Sequence, residues 1–220
     1  MIETIKKIID FILHIDAHLI EIVNNYGTAT YAILFLVVFC ETGLIVTPFL
    51  PGDSLFFAAG AICASSSLNI YLTLFVCLAG AILGNTINYA IGKKIGPAIF
   101  KKESKLIKKE YLERTHEFYV KHGVKAIVLS RFLPIFRTFV PFIAGIAGMN
   151  PAKHFFYNVV GAFLWVFTFV LGGYFFGQIP FVKENFSMVI IGILIVTVMP
   201  AIIALVRRKF FRRKRREEIV

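Results

Sequence analysis

Hydrophobic residues along this chain form blocks long enough to cross a lipid bilayer. Phe155–Gly177 and Met188–Val206 contain no charged residue, and Leu68–Gly92 is interrupted mainly by three asparagines. A helix needs about 20 predominantly apolar residues to cross a hydrocarbon core of roughly 30 Å. The pattern therefore predicts spanning helices at about 68–92, 155–177 and 188–206.

A fourth apolar block, Ala126–Gly148, is broken by two arginines and two prolines. Arg131 and Arg137 would each cost about 3 kcal/mol at the centre of a bilayer on insertion scales, so charges there usually serve a function. Pro134 and Pro141 prevent the block from forming one uninterrupted helix. We therefore predict a re-entrant hairpin over residues 126–148, with its turn near Pro134–Pro141.

The block at about residues 29–66 has a similar form, with acids in place of arginines. Glu41 and Asp53 bracket the elements that break the helix, which are Pro48, Pro51 and Gly52. A second re-entrant hairpin is predicted here. The prolines and the glycine are expected to shape the backbone rather than to bind a ligand.

Basic residues set the orientation predicted for these blocks. Lys and Arg concentrate in 93–125, where an amphipathic helix is also expected, and in the tail 207–220; such an excess is typical of cytoplasmic segments. Both basic segments are then inside, and the helix at 188–206 must return from the outside to the tail. The helix at 155–177 therefore runs outward and starts on the cytoplasmic side. Since residues 93–125 also lie on that side, the block 126–148 begins and ends in the cytoplasm. A single tilted span with snorkelling arginines is the alternative, but it would place a strongly basic loop outside.

Composition agrees with a membrane protein. Hydrophobic residues make up 58% of the chain and 24 residues are Phe, with a mean hydropathy of +0.77. The net charge of +11 comes mostly from the basic segments that are predicted to lie in the cytoplasm. The tail 207–220 directly follows an apolar block, so we expect it to contact anionic lipid headgroups and not nucleic acid. Residues 1–25 lack the apolar core of a signal peptide and are predicted to form an amphipathic surface helix.

The two halves of the chain repeat a motif at one fixed offset. The motif, Gly-Ala-x-Leu followed by two further glycines, occurs in residues 80–96 and again in 161–177. We expect each half to contain a surface helix, a re-entrant hairpin and a spanning helix, with repeats at 26–92 and 126–177. One spanning helix runs inward and the other outward, so the repeats are inverted, as in many secondary transporters. The predicted fold class is an all-α polytopic membrane protein, an inverted repeat plus a C-terminal transmembrane helix.

Three strings carry a family resemblance: ETGLIVTPFLPGDSLFFAAG, GNTINYAIGKKIG and SRFLPIFRTFVPFIAGIAGM. They resemble the DedA integral membrane proteins of bacteria, which have a VTT-type domain. The resemblance implies a bacterial inner-membrane protein in which two re-entrant hairpins face each other. It also implies transport of undecaprenyl phosphate, a lipid carrier of cell-wall precursors, linked to proton or sodium gradients. The functional residues that it implies are Glu41, Asp53, Arg131 and Arg137, and the chain departs from the family at Asn85, where relatives often carry Asp.

The chemistry of these residues suits an anionic lipid headgroup. Arginine stays charged and offers forked donors that match phosphate oxygens, and the hydroxyls of Ser130 and Thr138 are expected as minor partners. Burial favours the neutral form of Glu41 and Asp53, whereas nearby arginines favour the charged form. We hypothesise that protonation of an acid frees the arginines for phosphate.

Other functions remain open at this point. The acids and arginines could form two static ion pairs, the transporter could be a phospholipid scramblase without headgroup preference, or the protein could be an envelope scaffold. A phosphatase is not predicted, because all five histidines lie in stretches assigned to the surface. No cofactor is predicted, and His14 and His18, one helical turn apart beside Asp10, are expected to lie on the solvated face of a surface helix and not to bind a metal ion. Trp165 is expected to serve packing or to lie at the membrane interface, and a homo-oligomer is left open.

Overall fold

A computed structural model describes residues 26–44, 52–66, 68–99 and 125–186, and parts of 188–199. This part of the chain is helical and contains no strand, which confirms the all-α class. The predictions for residues 1–25, for Pro48 and Pro51, for most of 93–125 and for the tail 207–220 lie outside the described residues. The block 188–206 is described only in part, and residues 188–193 are helical.

Helices follow one another through the described chain, after a short 3₁₀ turn at Gly27–Ala29. In chain order they are α1 (Thr30–Gly43), α2 (Gly52–Ser65), α3 (Ile70–Ile99), α4 (Lys125–Ser130), α5 (Pro134–Ile146), α6 (Pro151–Phe176) and α7 (Pro180–Glu184). We call α1 with α2 the first hairpin, and α4 with α5 the second hairpin.

Two of these helices are long and apolar enough to cross a membrane. They are α6 and the part of α3 at Ile70–Ile95, each 26 residues long. In the first hairpin, α1 and α2 have 14 residues each, and α5 of the second hairpin has 13, so none of the three has the length of a span. The lengths therefore agree with two spanning helices accompanied by shorter, re-entrant ones.

The start of α6 lies four residues earlier than the apolar block indicates. Pro151 is the first helical residue, and the side chain of Asn150 accepts hydrogen bonds from the backbone N–H groups of Ala152 (2.9 Å) and Lys153 (3.3 Å). An asparagine cap followed by proline is a favourable helix start. The cap, and not the first apolar residue, sets this boundary.

The turn of the second hairpin differs from the prediction. It occupies Arg131–Leu133, before both prolines, and Pro141 lies inside α5. Pro134 begins α5, a position where the missing N–H of proline costs nothing. Pro141 leaves the carbonyl of Arg137, four residues earlier, without its intrahelical donor but does not end the helix. Only Pro134 of the two therefore marks the turn.

Each hairpin divides its two helices between the two spanning helices. In the first hairpin α1 packs on α3 and α2 packs on α6, whereas in the second hairpin α4 packs on α6 and α5 packs on α3. In each half, the first hairpin helix thus packs on the spanning helix of its own half, and the second packs on the spanning helix of the other half. The inverted repeat and its boundaries nevertheless stay predictions.

Glycines allow the closest of these helix crossings. A Cβ at Gly60 of α2 would collide with the backbone of Val170 in α6, and one at Gly173 of α6 would collide with the backbone of Phe57 in α2. A Cβ at Gly145 of α5 would likewise meet the backbone of α3. Small residues at such crossings let helix backbones approach in membranes. This close packing holds α2 and α5 against the C-terminal parts of the two spanning helices.

Candidate functional site

A cluster of one arginine and two acids joins the hairpins. Nη1 of Arg137, on α5, lies 3.1 Å from Oε1 of Glu41 at the end of α1 and 3.2 Å from Oδ1 of Asp53 at the start of α2. Each of the three residues is at most 5% exposed. The sequence predicted that these residues face each other, and the structure places them in one buried network. A single guanidinium bridges both carboxylates, in place of two separate pairs.

Gly52 gives the Glu41 carboxylate its space. A Cβ added at Gly52 would overlap both carboxylate oxygens of Glu41. The predicted backbone role of Gly52 thus has a specific form: it lets the start of α2 approach the acid at the end of α1.

Arg131 lies in a separate environment made of amides. Its Nη2 donates to Oδ1 of Asn158 (2.5 Å) and to the carbonyl of Ala81 (3.3 Å). When the Asn85 amide is oriented to satisfy both of its ends, its oxygen accepts from the same Nη2 at 2.9 Å and its nitrogen donates to the carbonyl of Thr42. Arg131 is fully buried and makes no ion pair with a described acid. Its charge is therefore held by neutral dipoles.

Two nitrogens of Arg131, which carry three N–H donors between them, remain available. Its Nε and Nη1 find no acceptor among the described residues, although the side chain is 0% exposed. Gly161 of α6 lies against this side chain, because a Cβ there would be 3.0 Å from Cδ of Arg131. A buried guanidinium with unsatisfied N–H groups is costly. It is also suited to accept an anionic ligand, whose oxygens would satisfy these donors.

Asparagines on both spanning helices complete the site. The side-chain nitrogen of Asn158 donates to the carbonyl of Ile82 (3.0 Å) and to Oγ1 of Thr86 (3.1 Å). That of Asn88 donates to the carbonyls of Thr42 (3.3 Å) and Thr138 (2.9 Å). Sequence reasoning treated such asparagines as interruptions and gave them no function. The sequence could have indicated a role for them, because strongly polar residues inside spanning blocks are usually buried and functional.

The predicted hydroxyl partners lie at the site but differ from each other. Ser130 is buried and donates to the carbonyl of Ile127 at 2.9 Å, one turn earlier in α4. Oγ1 of Thr138 is buried and has no hydrogen-bond partner among the described residues. Thr138 therefore retains a donor for a ligand, whereas Ser130 already uses its own.

Trp165 packs in the core, as one of the two roles expected for it, and also contacts the charged residues of the site. Its Nε1 donates to Oδ1 of Asp53 at 2.6 Å, and its ring lies 4.6 Å from Cζ of Arg137 and 5.6 Å from Cζ of Arg131. The side chain is fully buried. It thus contacts Asp53 and both arginines.

A histidine expected at the surface is also buried. His154, near the start of α6, is 1% exposed and stacks on the ring of Tyr89 at 4.1 Å, while the hydroxyl of Tyr89 donates to the carbonyl of Met149. The placement of all five histidines in surface stretches was therefore wrong for this one. The apolar count placed His154 outside the span because it precedes the block at Phe155, whereas the Asn150 cap includes it in α6.

The fold and the site together define a class, a polytopic all-α membrane protein with charged residues buried between short helices and spanning helices. Comparison with known proteins agrees. The VTT domain model matches residues 50–175, which extend from the start of α2 almost to the end of α6. The chain belongs to the DedA family of VTT-domain membrane proteins.

Individual relatives resemble most of the chain. It is 50% identical over 210 residues to Protein DedA of Escherichia coli (strain K12), covering 94% of this chain and 96% of that protein. It is 41% identical to an uncharacterized membrane protein of Mycobacterium leprae (strain TN), covering 81% of each. Inner membrane protein YqjA of Escherichia coli (strain K12) is 33% identical, covering 68% of this chain and 69% of that protein. No solved structure matches.

Proposed function

We propose that this protein moves a polyprenyl phosphate, undecaprenyl phosphate, across the bacterial inner membrane in support of envelope synthesis. The observation that carries the proposal is Arg131, a fully buried cation with two nitrogens whose N–H groups have no acceptor among the described residues. It lies beside Asn85, near the middle of one helix that is long enough to span a bilayer, and beside Asn158, in the first third of the other. A phosphate headgroup supplies the oxygens and the negative charge that this site lacks.

The two arginines have different roles in this proposal. Arg131 is the permanent anion-binding residue, because neutral amides orient it without cancelling its charge. Arg137 is the switched residue, because Glu41 and Asp53 both hold it at about 3 Å. Protonation of one acid weakens this hold and leaves the group of two acids and two arginines with a net charge of +1. That charge attracts the phosphate, and deprotonation releases it, which links transport to protons.

The lipid tail need not enter the site. Large apolar side chains cover the outer surfaces of the spanning helices, including Tyr71 and Phe75 on α3 and Phe163 and Phe175 on α6. A polyprenyl tail therefore stays in hydrocarbon beside the protein while the headgroup crosses between the hairpins. No bond is made or broken in this process, so the protein acts as a transporter and not as an enzyme.

A liposome assay tests the proposal. Purified protein is reconstituted, and the movement of undecaprenyl phosphate between leaflets is compared with that of a fluorescent phosphatidylcholine. We expect movement of the polyprenyl phosphate alone, accelerated by an imposed proton gradient. Arg137→Ala, Glu41→Gln and Arg131→Lys should each reduce the rate at least about tenfold, since lysine lacks the planar fork of arginine. Lys153→Gln, at an exposed position of α6, is the matched control and should keep the rate.

Other outcomes separate the alternatives. Equal movement of both lipids would indicate a scramblase. Movement of neither lipid, with variants that behave like the wild type, would indicate a scaffold. A double variant, Glu41→Gln with Arg137→Gln, distinguishes stability from transport, because it removes one charge of each sign and leaves the net charge of the buried group unchanged. It should unfold near the wild-type temperature and still move no lipid.

A further inference from the structure

The single tryptophan of the chain lies where the first hairpin, the second hairpin and a spanning helix meet. From α6, Trp165 reaches Asp53 with its N–H and faces Arg137 and Arg131 with its ring. Phe56 packs edge-on against the same ring at a centroid distance of 4.5 Å. The indole therefore has both a polar and an aromatic contact with the charged cluster.

These contacts exceed what packing alone requires. A buried leucine or phenylalanine would fill the same space, but neither could donate to a carboxylate. Cations over a desolvated indole face are attracted by the ring quadrupole, and a short N–H bond to a carboxylate is charge-assisted. Trp165 thus stabilises an acid and two arginines at the same time.

We propose that Trp165 is a positioning residue of the transport site, one that holds the Asp53 carboxylate in place while Arg137 changes partners. This inference rests on the proposed function. When Arg137 leaves Asp53 for a phosphate, the acid loses a donor within the buried site, and such a loss is costly. The indole N–H remains on Oδ1 of Asp53 and reduces that cost. The ring remains beside both arginines and limits how far they move.

The indole itself gives the first test. With ¹⁵N-labelled tryptophan, the full-length protein in nanodiscs gives one indole N–H resonance, because the chain has one tryptophan. We expect Asp53→Asn to move this resonance upfield, as the carboxylate acceptor becomes an amide. Glu184→Gln, the same kind of change at an exposed acid of α7, should leave it unchanged. An indole N–H chemical shift that does not change in Asp53→Asn would overturn the proposal.

Transport gives the second test. Trp165→Phe keeps a ring beside the arginines and loses the donor to Asp53, so we expect about tenfold slower movement of undecaprenyl phosphate, the size of one charge-assisted hydrogen bond. Phe56→Leu disturbs the same packing without removing a polar contact and should keep the rate within about twofold of wild type. Thermal unfolding of both variants is measured alongside.

The outcomes are distinct. A slower rate in Trp165→Phe, at a stability equal to or above that of Phe56→Leu, supports positioning. Equal rates in the two variants would reduce Trp165 to a packing residue and overturn the proposal. A wild type that moves no lipid contradicts the proposed function, whereas the contact with Asp53 is then decided by the indole resonance alone.

Discussion

At the scale of single residues, the two arginines of the site differ in whether a carboxylate neutralises their charge. Arg137 has two carboxylates within 3.2 Å, and Arg131 has amide and carbonyl oxygens. Both are buried in a helical membrane protein, where an isolated charge is expensive. The amide environment of Arg131 therefore maintains a positive charge that an adjacent carboxylate would neutralise.

Replacing one amide by an acid tests this reasoning. Asn158→Asp places a carboxylate within hydrogen-bond distance of Nη2 of Arg131 and gives that arginine a counter-charge. We expect polyprenyl phosphate transport to fall at least about tenfold, since the anion must now compete with a resident acid of similar charge. Thermal unfolding is measured alongside, because the carboxylate gains an ion pair with Arg131 but loses the donation of Asn158 to the carbonyl of Ile82.

The matched control is Asn185→Asp, the same substitution at the end of α7, away from the site. It should leave transport unchanged. Transport that persists in Asn158→Asp would show that the uncompensated charge of Arg131 is not what binds the headgroup.

The four charged residues of the site were predictable from the sequence, and their neighbours were not. Glu41, Asp53, Arg131 and Arg137 stand out because each interrupts an apolar block. Trp165 does not, since a tryptophan in an apolar block is equally typical of packing or of the membrane interface. Its contact with Asp53 depends on how α2 crosses α6, which no local pattern records.

At the scale of helices, glycine crossings set how closely the hairpins approach the spanning helices. Gly172 and Gly173 are neighbours in α6 and differ in their surroundings. A Cβ at Gly173 would collide with the backbone of Phe57 in α2, whereas a Cβ at Gly172 meets nothing within 4 Å. This crossing therefore fixes the position of α2, whose first turn carries Asp53.

These adjacent glycines form a natural pair of variants. Gly173→Ala must push α2 away from α6, and we expect a loss of about 1–3 kcal/mol in the free energy of unfolding together with slower transport. Gly172→Ala should be neutral or slightly stabilising, because alanine favours the helix by up to about 1 kcal/mol over glycine. Thermal or denaturant unfolding in detergent measures both. Equal effects would mean that the crossing tolerates an added methyl group.

The sequence predicted the existence of the helices better than their ends. The spanning lengths follow from apolar counts, and α3 begins two residues from the predicted start at residue 68. The turn of the second hairpin was placed too far along the chain, since proline can begin a helix as readily as it breaks one. Which of the two roles Pro134 and Pro141 take depends on the surrounding backbone.

At the scale of the whole molecule, the hairpins bind the two halves into one unit. Each hairpin contacts both spanning helices, so neither half buries its own polar residues alone. The repeat pattern suggested two similar halves, but it could not show that their arms are exchanged, because partner choice between helices is set by tertiary packing. The charge distribution, by contrast, gives a direct expectation for orientation.

Reporter fusions test that orientation. By the positive-inside rule, alkaline phosphatase fused after Glu184 should be active in the periplasm, and the same fusion after Lys125 should be inactive. A fluorescent protein fused after Val220 should fluoresce in the cytoplasm. An active phosphatase after Lys125 would contradict the cytoplasmic placement of the basic segment and favour a single tilted span for residues 126–148.

The bridge made by Arg137 has a consequence for biosynthesis. Asp53 and Arg137 are 84 residues apart in the chain, so the ribosome completes both acids of the first hairpin well before their cation exists. At about 5–20 residues per second, the interval is roughly 4–17 seconds. During that time the nascent acids need a proton or a polar surrounding supplied by the insertion machinery. The arrival of the second hairpin is then the step at which a newly made copy becomes stable in lipid or is exposed to degradation.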